Sequence, residues 1–159
     1  MPALTIRAAR GADAPRLTAI AFASKRDWGY PEQWLAAWRP QLTVTPAYIR
    51  EHVVFVIRVG PRLRGFYALV ERPRHWELDH FWIHPDAMGR GLGRRLFSHA
   101  VRYMKRRGPL LLSIVADPNA TGFYQRMGAR PAGTVSAPIA GIKRRLPRLE
   151  FRFPQRPNL

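Results

Sequence analysis

Three glycines alternate in Met88-Gly89-Arg90-Gly91-Leu92-Gly93, after a strand-like run that ends at Ile83-His84-Pro85 and before a run with helical spacing. Glycines let a backbone come close to an anion and take conformations closed to other residues. The start of a helix aims unpaired N–H groups and the positive end of its dipole at the same point. Arg90, Arg94 and Arg95 add side-chain charge. In physical terms this is a cradle for phosphate. It is not a Walker loop, because no Gly-Lys-Ser/Thr follows. It is not the dinucleotide fingerprint, whose third glycine stands one residue later.

A second segment lies downstream: Asp117-Pro118-Asn119-Ala120-Thr121-Gly122-Phe123-Tyr124-Gln125-Arg126-Met127-Gly128-Ala129. Together the two segments resemble the GNAT superfamily of N-acetyltransferases. Met88 to Gly93 fills its pyrophosphate-binding motif Gln/Arg-x-x-Gly-x-Gly/Ala, with Met88 departing from the first position. Residues 117–129 resemble its Asn-Ala-x-x-Phe-Tyr-x-x-x-Gly segment. The resemblance covers residues 3–153, by motif over 76–130 and by element order before that. It implies an α/β acyl-CoA N-acyltransferase fold, with a central mixed sheet of six to seven strands and helices on both faces. It also implies acetyl-CoA as co-substrate and direct transfer of its acetyl group to a primary amine of a small molecule or peptide.

Site roles follow from the same resemblance. The backbone of Phe81, Trp82 and Ile83 would bond the pantetheine. Gly89, Arg90, Gly91, Leu92, Gly93 and Arg94 would hold the pyrophosphate. Asn119 matches a coenzyme-contacting asparagine, which some relatives place where this chain has Asp117. Tyr124 matches the tyrosine that protonates the departing sulfur, and it also contacts the cofactor; the plainer reading is an aromatic packed beside Phe123. For the base, Glu77 lies at the offset where histone-type relatives carry a glutamate, and Asp79 lies nearer the thioester. Side chains alternate along a strand, so Glu77, Asp79 and Phe81 are expected on one face and Leu78, His80 and Trp82 on the other. Either carboxylate could take the amine proton, directly or through water, or could simply pair with an arginine. Glu32, beside Trp34 and Trp38, is a weaker candidate for the acceptor wall.

The elements that must position these groups are legible in outline. Residues 4–7 read as a strand and 13–25 as a helix, with Asp13 and Pro15 at its start. Residues 31–42 read as a second helix, disturbed near its end by Pro40. Residues 53–59 and 64–70 form a hairpin about Gly60-Pro61, and 76–83 a third strand. Residues 91–107 place Leu92, Leu96, His99, Ala100, Tyr103 and Met104 close to one helical face. Residues 110–115 read as a strand buried on both faces, 120–127 as a short helix, and 129–140 and 149–153 as closing strands. One domain over 1–153 with a loose tail at 154–159 is expected.

Composition sets the outer limits. The chain has 159 residues, 47% of them hydrophobic, enough for one cored domain. No apolar run approaches the ~18 residues of a membrane span, and the N-terminal basic stretch lacks the apolar length of a signal peptide. A cytoplasmic protein without membrane association is expected. With no cysteine and five histidines at no ligand spacing, no metal is expected. The formal charge is +17, and all basic side chains but Lys25, Lys105 and Lys143 are arginines. Such a surface attracts anions, so the alternatives are an RNA- or ribosome-associated binding protein on this fold, or a coenzyme A-binding regulator without turnover. Nucleic acid is not favoured, because the stacking motif of RNA-binding sheets is absent and arginine-rich composition can arise from codon bias. A homodimer remains an open expectation.

Overall fold

The computed structural model describes residues 2–153, and the expected tail at 154–159 lies outside them. The β-rich middle of the chain builds one sheet. Its strands are β1 (Leu4–Ala8), β2 (Val53–Val59), β3 (Arg62–Glu71), β4 (Trp76–Ile83), β5 (Leu111–Val115), β6 (Arg130–Ser136) and β7 (Arg145–Arg152). Their order is β1-β2-β3-β4-β5-β7-β6. β4 and β5 pair in parallel and the other neighbours are antiparallel.

Both faces are covered. On one, Leu92, Leu96, Phe97, Ala100 and Met104 of α5 (Leu92–Lys105) pack on Ile57, Tyr67, Leu69 and Trp76. The helical spacing of these apolar residues gives α5 its single buried stripe. On the other face, Leu17, Ile20 and Ala21 of α1 (Ala14–Asp27) meet Val54, Val56, Phe66 and Ala68. Completing the set are α2 (Glu32–Ala37), α3 (Arg39–Leu42), α4 (Pro46–Glu51) and α6 (Thr121–Arg126).

Four expectations about the elements and their caps change. The single helix over 31–42 is two pieces, α2 and α3, meeting at Trp38; Pro40 carries no N–H to continue the first. α4 is additional. It is six residues long, too short to show periodicity, and it rests on a cap in which the Tyr48 N–H donates to Thr45 Oγ1 at 3.0 Å. Asp13 makes no side-chain cap on α1; it closes a 3₁₀ turn, accepts the Arg10 N–H and pairs with Arg7 at 2.8 Å. The closing strands run over Arg130–Ser136 and Arg145–Arg152 rather than 129–140 and 149–153.

The fold departs from regular pleating where the site lies. β3 and β4 pair Ala68 with His80 but Leu69 with Leu78, so Asp79 is an extra residue, a β-bulge. The bulge resets the alternation. Leu78 and Phe81 both pack toward the α5 core, while Trp82 packs toward the α1 core. The expected grouping of Phe81 with Glu77 and Asp79 is therefore corrected. Beyond the bulge, β4 also leaves its parallel neighbour: β5 pairs only Leu112 with Trp76 and Ser113 with Glu77. From Leu78 to Ile83, the β4 edge facing β5 has no strand partner among the described residues.

Candidate active site

The gap between β4 and β5 opens into a cavity of about 400 Å³. Phe81, Trp82 and Ile83 form one wall, the glycine loop another, and Asn119, Ala120, Phe123 and Tyr124 a third. Trp28 and Ser24 of the α1 end close it. A strand edge without a partner has backbone N–H and C=O groups that must be satisfied by something else, and here that edge faces a cavity.

Two contacts fix the edge in place. Ser24 Oγ donates to the Ile83 carbonyl at 2.8 Å, tying α1 to the end of β4. Gly65 of β3 sits opposite Ile83, where a Cβ would come within 2.6 Å of the Trp82 carbonyl oxygen and 2.7 Å of Ile83 Cδ1. No residue but glycine fits there without displacing the wall. Sequence reading did not single out either residue.

The glycine loop is shaped by left-handed backbone. Gly89 has φ +76°, and Gly91, which begins α5, has φ +79°. Side chains rarely adopt this conformation. Gly93 lies one step into the helix, where a Cβ would press on the Phe123 ring at 3.2 Å. The first-turn N–H groups of α5 have no intrahelical acceptors, and the loop leaves them on the cavity side. Gly89, Gly91, Leu92, Gly93 and Arg94 line the cavity; Arg90 is exposed and lies off its wall.

Tyr124 reaches the cavity from α6. Its ring packs against Phe81, Phe97 and Phe123, with centroids 6.0, 6.3 and 5.4 Å away. Burial pushes its phenol pKa up, with a smaller contribution from Asp117. It therefore stands on the cavity wall as a protonated O–H.

The two strand carboxylates lie elsewhere. Glu77 sits at the closed end of the sheet, bonded by Arg72 at 3.2 Å and His75 at 3.4 Å, and the Arg72 contact holds its carboxyl below the ordinary range. Asp79 is exposed and accepts the Tyr48 hydroxyl. Its neighbour His80 is buried, its Nδ1 accepting the indole N–H of cavity-lining Trp82 at 3.0 Å. Burial keeps His80 below the ordinary histidine value. Neither Glu77 nor Asp79 lies on the cavity wall. Glu32 is exposed and paired with Arg26 at 2.8 Å.

Beside the cavity, a polar cluster assembles from distant parts of the chain. Lys25 Nζ donates to Asp117 Oδ2 at 2.7 Å. Tyr30 donates its hydroxyl to Asp117 at 2.8 Å and accepts from Asn119 Nδ2 at 3.1 Å and Arg144 Nη2 at 2.7 Å. Four rings surround Lys25: Trp38, Tyr30, Trp28 and Trp82, with centroids 4.1, 5.0, 5.7 and 6.0 Å from Nζ. Burial lowers the Lys25 pKa against the pull of Asp117. Burial works to raise Asp117, but Lys25 and the Asn119 and Tyr30 hydrogen bonds hold it below the ordinary carboxylate range. Sequence reading weighed Asp117 and Asn119 one by one and left Lys25, Tyr30 and Arg144 unconnected.

Comparison with known proteins gives a consistent picture. Residues 16–129 match the model of the acetyltransferase (GNAT) family. An uncharacterized N-acetyltransferase of Methanocaldococcus jannaschii is 29% identical over 100 residues, 57% of this chain and 44% of that protein, so the match spans under half of the relative's length. Among solved structures, the PaiA N-acetyltransferase of Thermoplasma acidophilum, in complex with coenzyme A, superposes with a TM-score of 0.80 at 19% identity, covering 95% of this chain and 99% of that one. A GNAT family acetyltransferase of Brucella melitensis, in complex with acetyl-CoA, gives 0.67 at 16% identity over 98% and 91% of the two chains. The seven-stranded mixed sheet is the fold they share.

Proposed function

The chain belongs to the acetyltransferase (GNAT) family, and from that premise we propose that it moves the acetyl group of acetyl-CoA directly onto a primary amine held against the open edge of β4. The observation that carries this reading is the parting of β4 from β5 after Glu77, beside a glycine loop at a helix start. A pantetheine is an amide chain of the kind that can pair with a free strand edge, and a pyrophosphate suits the loop N–H groups. The Thermoplasma protein of the same fold was solved in complex with coenzyme A, which supports a ligand of this kind.

The chemistry asks little more of the residues. The amine nitrogen attacks the thioester carbon, the carbon–sulfur bond breaks, and the thiolate takes the Tyr124 proton, which solvent later restores. An N–H of the Phe81–Ile83 edge would meet the charge that builds on the acyl oxygen. Among the described residues, no carboxylate or histidine stands on the cavity wall, so the amine's proton leaves through water. Asp79, exposed and bonded by Tyr48, which packs with Trp82 on the α1 side of the sheet, is the carboxylate we assign to receive it; Glu77 is held at the closed end by Arg72.

Two measurements test the reading. Titration with coenzyme A should show binding that is lost when the loop is filled by Gly91→Val. Thiol release from acetyl-CoA should then depend on an added amine, with N-acetyl product seen by mass. Coenzyme binding without amine-dependent thiol release would leave a binding protein, and the transfer reading would fall.

A further inference from the structure

The wall beside the cavity holds more positive charge than it neutralises. Lys25 lies 2.7 Å and Arg144 3.6 Å from the same Asp117 oxygen, so two cations share one carboxylate. The three side chains are 11, 14 and 6% exposed. Tyr30, between them, adds no negative charge, since burial and Asp117 push its pKa up to about 12. Cations drawn away from water are stable only when matched by anions.

Arg144 is the cation with capacity to spare. Its guanidinium lies against the rings of Tyr30, Trp38 and Trp34, at 5.2, 5.3 and 5.9 Å. Nη2 donates to Tyr30 at 2.7 Å. Among the described residues, Nε and Nη1 have no hydrogen-bond partner. Rings cover the face of a guanidinium and leave its in-plane donors; Nη2 has two N–H bonds and gives one to Tyr30, so its other N–H, together with Nε or Nη1, can grip a carboxylate with two parallel hydrogen bonds.

The residue is also held firmly. The β6–β7 hairpin turns at Ala140 (φ +48°) and Gly141 (φ +77°), and Ile139 and Ile142 bond each other's backbones at 3.0 and 2.8 Å. The Arg144 carbonyl then accepts the Ala137 N–H at 2.7 Å. A left-handed pair is the geometry of a tight hairpin turn, so Arg144 is delivered from a rigid strand end. Through Tyr30 it is linked to Asn119 on the cavity wall.

We infer that the acceptor amine also carries a carboxylate, as an amino acid does, and that the free edge of Arg144 binds that carboxylate while the amine reaches the β4 edge. This rests on the N-acetyltransferase reading. The family match itself names no acceptor.

The test is thiol release from acetyl-CoA with the common amino acids, their carboxamides, and simple alkyl amines. The wild-type protein should favour at least one amino acid over its carboxamide by about 10- to 100-fold in kcat/KM, mainly through KM, the range of a hydrogen bond to a charged group. Arg144→Gln should erase most of that ratio, and Arg144→Lys, which keeps the charge but not the fork, should retain part of it. Equal use of acid and amide by the wild-type protein, or turnover of alkyl amines alone, overturns the inference and leaves the transferase reading standing. An undiminished ratio in a folded Arg144→Gln protein overturns it as well. No thiol release with any amine removes the transferase reading and this inference together.

Discussion

The cavity wall and the polar cluster beside it are made of different materials. The side we assign to the coenzyme is backbone: a strand edge with no strand neighbour among the described residues and a loop whose Gly89 and Gly91 take left-handed φ. It comes from one stretch of chain, residues 78–94. The cluster beside the cavity, joined to its wall through Asn119, is side chain: Lys25, Tyr30, Asp117 and Arg144, brought from four elements and loops into one hydrogen-bonded group. A backbone cradle can bind a fixed ligand whatever the surrounding side chains are. A side-chain cluster can be retuned by single substitutions, which suits the acceptor role we propose for it.

If the contrast holds, damage on the two sides should separate into different observables. The largest effect is expected in the cluster. Asp117→Ala leaves Lys25 buried without its partner, and removing one member of a buried pair costs about 3–5 kcal/mol. Urea unfolding should show the loss directly, and a loss under about 1 kcal/mol would mean that the cluster is solvated and not structural. Next comes Tyr124→Phe. Loss of a positioned acid lowers kcat by about 100-fold, while coenzyme A affinity should hold within about threefold. Because burial raises the Tyr124 phenol above its ordinary value, its protonated form persists through neutral and mildly alkaline pH. The wild-type kcat should therefore rise with pH as the amine loses its proton, with no descending limb from Tyr124 below about pH 10. A drop in kcat near neutral pH that disappears in Tyr124→Phe would contradict this.

The contrast also explains what could be read without a structure. The glycine spacing, the strand before it and the helix after it are local signals, so the motif-bearing elements from 76 to 127 fall within a few residues of their expected bounds. The Asp79 bulge is not local: it depends on which β3 residue pairs with which β4 residue, and strict alternation through Phe81 was the natural expectation from sequence. Gly65 shows its purpose only when the Trp82 carbonyl is seen 2.6 Å from its missing Cβ. The cluster is further out of reach. Lys25 and Asp117 are 92 residues apart, and Tyr30 and Arg144 are 114 apart. A lysine in a helix and an arginine after a turn read as solvated charge until the fold closes rings around them.

On the coenzyme side the effects should be smaller and confined to binding. Gly91→Ala forces a side chain into left-handed backbone, at a cost of about 1–2 kcal/mol. That corresponds to roughly tenfold weaker coenzyme A binding if the loop shifts to relieve it. Titration calorimetry measures this, and unchanged affinity would show that the loop N–H groups do not hold the ligand.

The smallest expected effect is a dependence on acid, and it belongs to the cluster alone. Asp117 titrates below the ordinary carboxylate range in the folded protein, while unfolded it titrates near about 4. Its contribution to stability is therefore complete above the unfolded value and drains away as pH falls through the folded one. Lys25 does not enter this window, because its lowered pKa still leaves it protonated in both states at acid pH; its influence lies on the alkaline side, where the folded protein sheds that proton first and stability rises with pH. Comparing the wild-type protein with Asp117→Asn by denaturant unfolding should thus show a gap that is constant from about pH 7 to 5 and narrows below about pH 4. A gap that stayed constant down to about pH 2.5 would mean that Asp117 carries no ionic interaction, and the difference drawn between the wall and the cluster would reduce to packing.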